Sequence, residues 1–183
     1  MVIDSDPQRA RVAADKGYVA LQGEVTRDEL LRVAGVDRAR AVIITVGKDE
    51  TTALAILTVR GLGASARIVA TVRSEENARL LRTSGADEIV SPWRVGGCLL
   101  ASAVTQPGSV GVVQDIVSHG GSMQIVERPA GAHEVGRACS QITDCLIVEL
   151  RRGSRHYSYG EARDLVLTVD DALTVIQRTA SQA

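Results

Sequence analysis

Asp4 closes the run Val-Ile-Asp, and a helical pattern begins at Asp6-Pro7 just beyond it. A carboxylate at the end of a strand that leads into a helix stands where a doubly wound α/β domain holds the hydroxyls of a nucleotide ribose. The same residue also suits a helix cap or a solvated loop acid. The phosphate half of such a site needs glycines that let backbone amides approach a pyrophosphate at a helix N-terminus, about 20 residues before the acid. No GxGxxG run lies ahead of Asp4, and Gly47, Gly61 with Gly63, and Gly96-Gly97 lack its spacing. Those glycines read as turns or close packing.

Glu24 ends a second short run, where a carboxylate meets an adenine edge or a metal, or lies in a plain loop. Asp49 and Glu50 follow the run 42-VIITV-46, and their first duty reads as helix capping and dipole compensation, as it does for Glu75 and Glu76. His119, His133 and His156 are scattered singly and read as surface or packing residues. Neither a nucleophile beside a base nor a pair of acid and base carboxylates stands out, so no catalytic residue and no metal set is nominated.

The elements that must position these residues alternate. Short β-branched runs at Val2-Ile3, 19-VALQG-23, 40-RAVIITVG-47, 67-RIVATV-72 and 87-DEIVSP-92 predict strands. Between them 7–17, 27–35, 49–63 and 74–86 predict helices, with Asp6 and Ser74 as starts and Gly17, Gly35 and Gly85 as stops. Such βα repeats imply a parallel sheet with right-handed crossovers. The helix from Asp49 spreads Ala53, Leu54, Ile56, Leu57 and Val59 over more than half its circumference, so one side can cover the sheet and the other needs a second surface. After Trp93 the pattern becomes a helix over 94–104, a break at 105–109 and a second helix over 110–118. A β-rich segment follows, with strands at 122–129 and 164–171, a hairpin over 146–159 turning near Arg152-Gly153-Ser154, and a closing helix over 171–180.

Composition narrows the classes. The 183 residues carry a net charge of −1, with 45% apolar and 23% charged residues, which gives no basic field to recruit nucleic acid. Phe is absent and aromatics are 2%, so base-stacking platforms are excluded and the core must come from Val, Ile, Leu and Ala. Three cysteines, Cys98, Cys139 and Cys145, form neither CxxC nor a Cys/His set, which fits reduced thiols in the cytosol. No apolar run approaches the ~20 residues of a membrane helix.

The runs VIDSDPQR, then LQGEVTRDELLRVAGVDRARAVIITVGKDETTALAILTVRGL, then RIVATVRSEENARLLRTSGADEIVSPWRVGG resemble the cytosolic regulators of K+ conductance. These are the RCK domains of potassium channels and Trk/Ktr-type transporters. The phrases AGVDRARAVIITVGKDE and SEENARLLRTSGADEIVSP are specific to them, and the likeness covers roughly residues 2 to 118. Residues 122 to 172 resemble a shortened C-terminal RCK subdomain. The resemblance implies a Rossmann-like doubly wound domain over 1–93 that lacks its first strand and glycine-rich loop, a helical crossover over 94–118, and a small α+β subdomain over 119–183.

The resemblance further implies a regulatory module and not an enzyme, held at the cytoplasmic face of the membrane by a potassium channel or transporter subunit. Dimers or rings would form through the Asp49 helix and the 94–118 crossover, and a ligand, NAD(H) or ATP/ADP, would gate the pore by binding the ring's states unequally. It places Asp4 on the ribose, Glu24 after the next strand, and Thr45 with Asp49 in the loop bordering the nucleotide. Thr71 and Arg73 stand where calcium-gated members carry Glu, which argues against a calcium site, since a cation cannot replace a hard oxygen donor. An NAD(P)-binding enzyme and a ligand-free oligomerisation module are the alternatives.

In the strand order 3-2-1-4-5, the first strand lies between those at Val2 and Val42. Without it either two strand edges stay unpaired or the flanking strands come together. A truncated form of a longer channel or transporter protein is the favoured expectation, ahead of a strand supplied by a partner and of a reduced domain.

Overall fold

Asp6 accepts a hydrogen bond from the Gln8 amide at 2.8 Å, and Pro7 supplies a pre-set φ at the first helical position, so the first helix starts where the sequence places it. The computed structural model describes residues 1–118 and 120–179, in two units, Met1–Cys98 and Leu99–Ala183. The first unit runs β1 (Val2–Asp4), α1 (Pro7–Asp15), β2 (Ala20–Gln22), α2 (Asp28–Val33), β3 (Ala41–Ile44), α3 (Asp49–Gly61), β4 (Arg67–Thr71), α4 (Ala78–Thr83) and β5 (Glu88–Val90). The helix α5 (Pro92–Thr105) crosses the boundary between the units.

All strand pairs of the first unit are parallel, as βα alternation requires, but they form two sheets. β1 pairs with β2 from Val2↔Ala20 to Asp4↔Gln22, while β3, β4 and β5 make a second sheet in that order. Of the two outcomes expected without a central strand, unpaired edges is the one observed. A single core serves both sheets. Ala53, Ala55, Ile56 and Val59 of α3 pack with Ile44, Ile68 and Ala70, and Ile3 and Val42 join from β1 and β3. Burying each of the large aliphatic side chains contributes about 1.5–3 kcal/mol. With no Phe, close approach of α3 to the sheet rests on alanines at 53, 55 and 70.

The helix expected over 74–86 is divided. A single 3-10 turn, Glu75–Asn77, precedes α4, and Ser74 makes no side-chain cap. The amides of Arg73 and Ser74 instead donate to Asp49, across the fold. Asp49 therefore caps a distant turn and not its own helix, where Lys48 is the cap residue without a side-chain bond.

The second unit contains α6 (Pro107–Val117), β6 (Met123–Pro129), β7 (Leu146–Arg152), β8 (Arg155–Ser158), α7 (Tyr159–Ala162) and β9 (Asp171–Arg178). Its strands form an antiparallel sheet in the order β6-β9-β7-β8, and the expected hairpin turns between Arg152 and Arg155. Two expectations are corrected. Residues 171–178 are a central strand and not a helix, because Leu173 and Val175 alternate with Ala172, Thr174 and Ile176 and the buried set faces the core. The run 164–171 forms no strand of its own; Val166 makes one isolated bridge to Ala138. Ala180, with which the expected helix ended, lies outside the described residues. Asp115 of α6 accepts from the Ser122 amide and hydroxyl and from the Met123 amide, at 2.7–3.0 Å, and so fixes the start of β6.

Candidate functional site

Parallel strands end at the loops that face a ligand crevice, so the positions to inspect are Asp4 to Glu24 and Thr45 to Ser74. Asp4 is half-buried. Its Oδ1 accepts from the Asp6 amide at 2.9 Å, and its Oδ2 lies 4.0 Å from the Arg9 guanidinium, which is itself exposed. The Asp4 carbonyl accepts from the Gly23 amide at 3.0 Å, which sets Glu24 beside the end of β1. Gly23 has a φ of 150°, which L side chains rarely adopt, and a Cβ there would lie 2.9 Å from Leu30 Cδ2, so this turn favours glycine. Glu24 is exposed with its carboxylate free of hydrogen bonds and ion pairs among the described residues.

Thr45 is exposed at the end of β3. Asp49 is not: it is 5% exposed, with Oδ1 accepting from the Arg73 amide at 2.9 Å and Oδ2 from the Ser74 amide at 3.0 Å and Asn77 Nδ2 at 2.9 Å. Burial by itself would push its carboxyl up, but the Asn77, Arg73 and Ser74 donors together hold it below the usual carboxylate range. The Arg73 side chain donates to the Gly47 carbonyl at 3.3 Å and lies 5.6 Å from the centre of the Trp93 ring, within cation–π reach. The loops after β3 and β4 are thus one laced unit. Among the described residues no hydrogen bond or ion pair joins it to Asp4 or Glu24, although Ile3, Val25 and Val46 pack on the same core.

Sequence reasoning missed Asn77 and the lacing role of Arg73. It also missed Arg60, which donates to the carbonyls of Ala64, Ala66 and Gly85 at 2.8–3.2 Å and to Asp87 at 2.7 Å. Asp87 in turn accepts from the Ile68 amide at 2.6 Å, which with the Arg60 guanidinium holds its carboxyl low. Gly85 has a φ of 109°, and a Cβ there would lie 3.0 Å from Arg60 Cγ. This clasp secures the N-terminal ends of β4 and β5, at the sheet end opposite the loops that hold Thr45 and Asp49.

In the second unit a cavity of about 260 Å³ is lined by Cys139, Cys145, Tyr159 and Arg163 among others. Burial pushes both thiols up, so neither is a ready nucleophile. His133, Glu134 and Asp144 bring ligand atoms within 4.8 Å of one another. Glu134 is committed elsewhere: its two oxygens accept from Arg128 at 2.6 and 2.7 Å and from the Gly131 amide at 2.6 Å.

The TrkA-N domain family model matches residues 1–92, the stretch that holds all four candidate residues. The chain belongs to the TrkA-N domain family. Potassium channel protein 1 of Methanocaldococcus jannaschii is 27% identical to this TrkA-N chain over 127 residues, 68% of the chain and 38% of the relative. A Trk system potassium uptake protein TrkA homolog of Archaeoglobus fulgidus is 24% identical over 98% of the chain and 42% of its own length. Among solved structures, the crystal structure of GsuK bound to ADP superposes with a TM-score of 0.53 at 27% identity, over 65% of the chain and 31% of GsuK. The chain spans between 18% and 42% of the length of the curated relatives it matches. Among the described residues, no helix is long and apolar enough to cross a membrane.

Proposed function

We propose that this TrkA-N chain is a non-enzymatic regulatory module of potassium transport, acting at the cytoplasmic face of a membrane on a channel or Trk/Ktr-type transporter subunit. The observation that carries the reading is the family match over residues 1–92 together with relatives that are potassium channel proteins and a TrkA homolog. A nucleotide with an adenine and a ribose, ADP as in the similar GsuK or ATP or NAD(H), is the ligand. Asp4 receives the ribose hydroxyls, Glu24 and Thr45 border it, and Asp49 acts from behind by holding the Arg73–Asn77 loop in shape. Its organisation is a ligand-binding part over 1–93, a crossover over 94–118 and a C-terminal part over 119–183.

Coupling to a pore needs an assembly in which ligand energy differs between states, since equal binding shifts nothing. The outer side of α3, with Leu54 and Leu57 about half exposed, and the helices α5 and α6, neither of which has a buried residue, are the surfaces for a dimer or ring. Leu100, Val104 and Val117 are 71–84% exposed there, which is costly unless covered. Sedimentation velocity and calorimetric titration with ADP test the reading together. A dimer or larger species whose distribution shifts with ADP supports it; a monomer indifferent to millimolar ADP refutes it. Assembly without any ADP heat would instead favour a ligand-free oligomerisation module, a reading that draws on the three protein donors already bound to the Asp49 carboxylate.

A further inference from the structure

A cavity of about 210 Å³ opens in the first unit where β4 and β5 end. The Val72 amide donates to the Val90 carbonyl at 2.9 Å, which keeps the two strand ends side by side, and both valines line the cavity. Val72 is buried, Val90 is 40% exposed, and Val95 in the first turn of α5 is 52% exposed, so apolar surface stays wet here. Asp4, Glu24, Thr45 and Asp49 do not line this cavity.

The rim has the opposite chemistry. Arg82 from the last turn of α4, and Ser91 and Arg94 at the start of α5, line the same opening. Among the described residues the Arg82 guanidinium and the Ser91 hydroxyl make no hydrogen bond or ion pair. Arg94 holds only Glu75, at 3.6 Å and with both side chains mostly exposed, a pairing that water screens and that contributes little. Arg60, Arg128 and Arg152 are each fixed on a carboxylate at 2.6–2.8 Å, whereas these two guanidiniums line one small cavity and hold nothing firmly. An apolar floor under two loosely held guanidiniums and a free hydroxyl matches a ligand that is anionic at one end and apolar at the other.

We propose that this cavity binds a small monocarboxylate with a short apolar chain. The carboxylate bridges Arg82 and Arg94, displaces Glu75 from its exposed pairing and accepts from the Ser91 hydroxyl; guanidinium forks suit carboxylate oxygens. The chain lies on Val72 and Val90 and covers Val95. The cavity is smaller than the roughly 300–1,000 Å³ that drug-sized ligands occupy, so a chain of about four to six carbons fills it. A bare inorganic anion would use the rim and leave the valines wet. The bridge ties α4 to the first turn of α5, the helix that leads out of this unit. This holds whether or not a nucleotide binds.

Calorimetric titration of the full 183-residue chain with butyrate, pentanoate and hexanoate at constant ionic strength tests it. Hexanoate is expected to bind saturably with a Kd on the order of 1 mM, and affinity to rise about threefold with each added methylene, as burial of the chain requires. The double variant Arg82→Gln, Arg94→Gln is expected to bind hexanoate at least tenfold more weakly with the melting temperature retained. Absence of saturable heat up to about 50 mM hexanoate overturns the proposal. So does hexanamide binding as well as hexanoate, which would leave the guanidiniums no role, or inorganic phosphate binding as tightly, which would leave the valines none. Undiminished hexanoate binding by the double variant overturns it too. Should that variant lose stability, the chain-length series and the hexanamide comparison on the wild-type chain decide by themselves.

Discussion

Replacing Asp49 by alanine should destabilise the first unit more than any other single change in the loops after β3 and β4. The carboxylate is 5% exposed and, among the described residues, is the sole acceptor for the Arg73 and Ser74 amides and for Asn77 Nδ2. Two orphaned backbone donors cost about 1 kcal/mol each where water can partly replace the acceptor, and the Asn77 amide and the lost charge at the α3 N-terminus add about 0.5 kcal/mol each. The total of about 3 kcal/mol is a large share of a typical domain stability and corresponds to a fall on the order of 15 °C in melting temperature. Trp93 is the single tryptophan and sits beside Arg73, so its fluorescence during urea unfolding reports this unit. In a double-mutant cycle Asp49→Ala and Asn77→Ala should couple by about 1 kcal/mol. Because the folded pKa of Asp49 lies below its unfolded value, the contribution is present above about pH 4 and is lost as pH falls through the folded pKa. The gap between wild type and Asp49→Ala should therefore narrow below pH about 4. A loss under 1 kcal/mol, or strict additivity with Asn77→Ala, would refute the lacing role.

Arg60→Met should lower the stability of the first unit by about 2–3 kcal/mol in urea titration, since three carbonyls and Asp87 lose a charged donor while the stem is kept. Glu134→Gln should cost the second unit about 2–3 kcal/mol, because Glu134 is fully buried and Arg128 only 24% exposed, and far-ultraviolet dichroism would follow the loss. Glu134 and Asp171 have lowered folded pKa values, so wild-type stability of this unit should fall as pH drops below about 4. Leu57→Asp on the outer side of α3 should shift sedimentation towards monomer with little change in melting temperature. Asp4→Asn should weaken ADP binding roughly tenfold in calorimetry, the worth of one charged hydrogen-bond partner.

Most of the first unit was legible because its signals are local. Asp6-Pro7 starts α1, β-branched runs mark β3 and β4, and the apolar spread of α3 reports its two environments. The Asp49 lacing was not legible, since its partners lie 24 to 28 residues away and an acid at a helix start has an adequate local explanation. The same holds for Arg60, whose partner Asp87 is 27 residues on. In the second unit 171-DALTVIQR-178 carries both a helical and an alternating pattern, and only the need for a strand between β6 and β7 decides between them. The split into two sheets was foreseen as one of two outcomes, because the absence of a central ladder is a statement about topology that the strand order already contains.

The most direct test is rubidium uptake, as a tracer of potassium, in cells that make this chain compared with the same cells lacking its gene. The account predicts that uptake changes several-fold on deletion, returns with the wild-type gene, and fails to return with Leu57→Asp, which keeps the fold but lacks the assembly surface. Uptake that is the same with and without the gene, across potassium-limited and potassium-replete growth, would contradict a role in potassium transport.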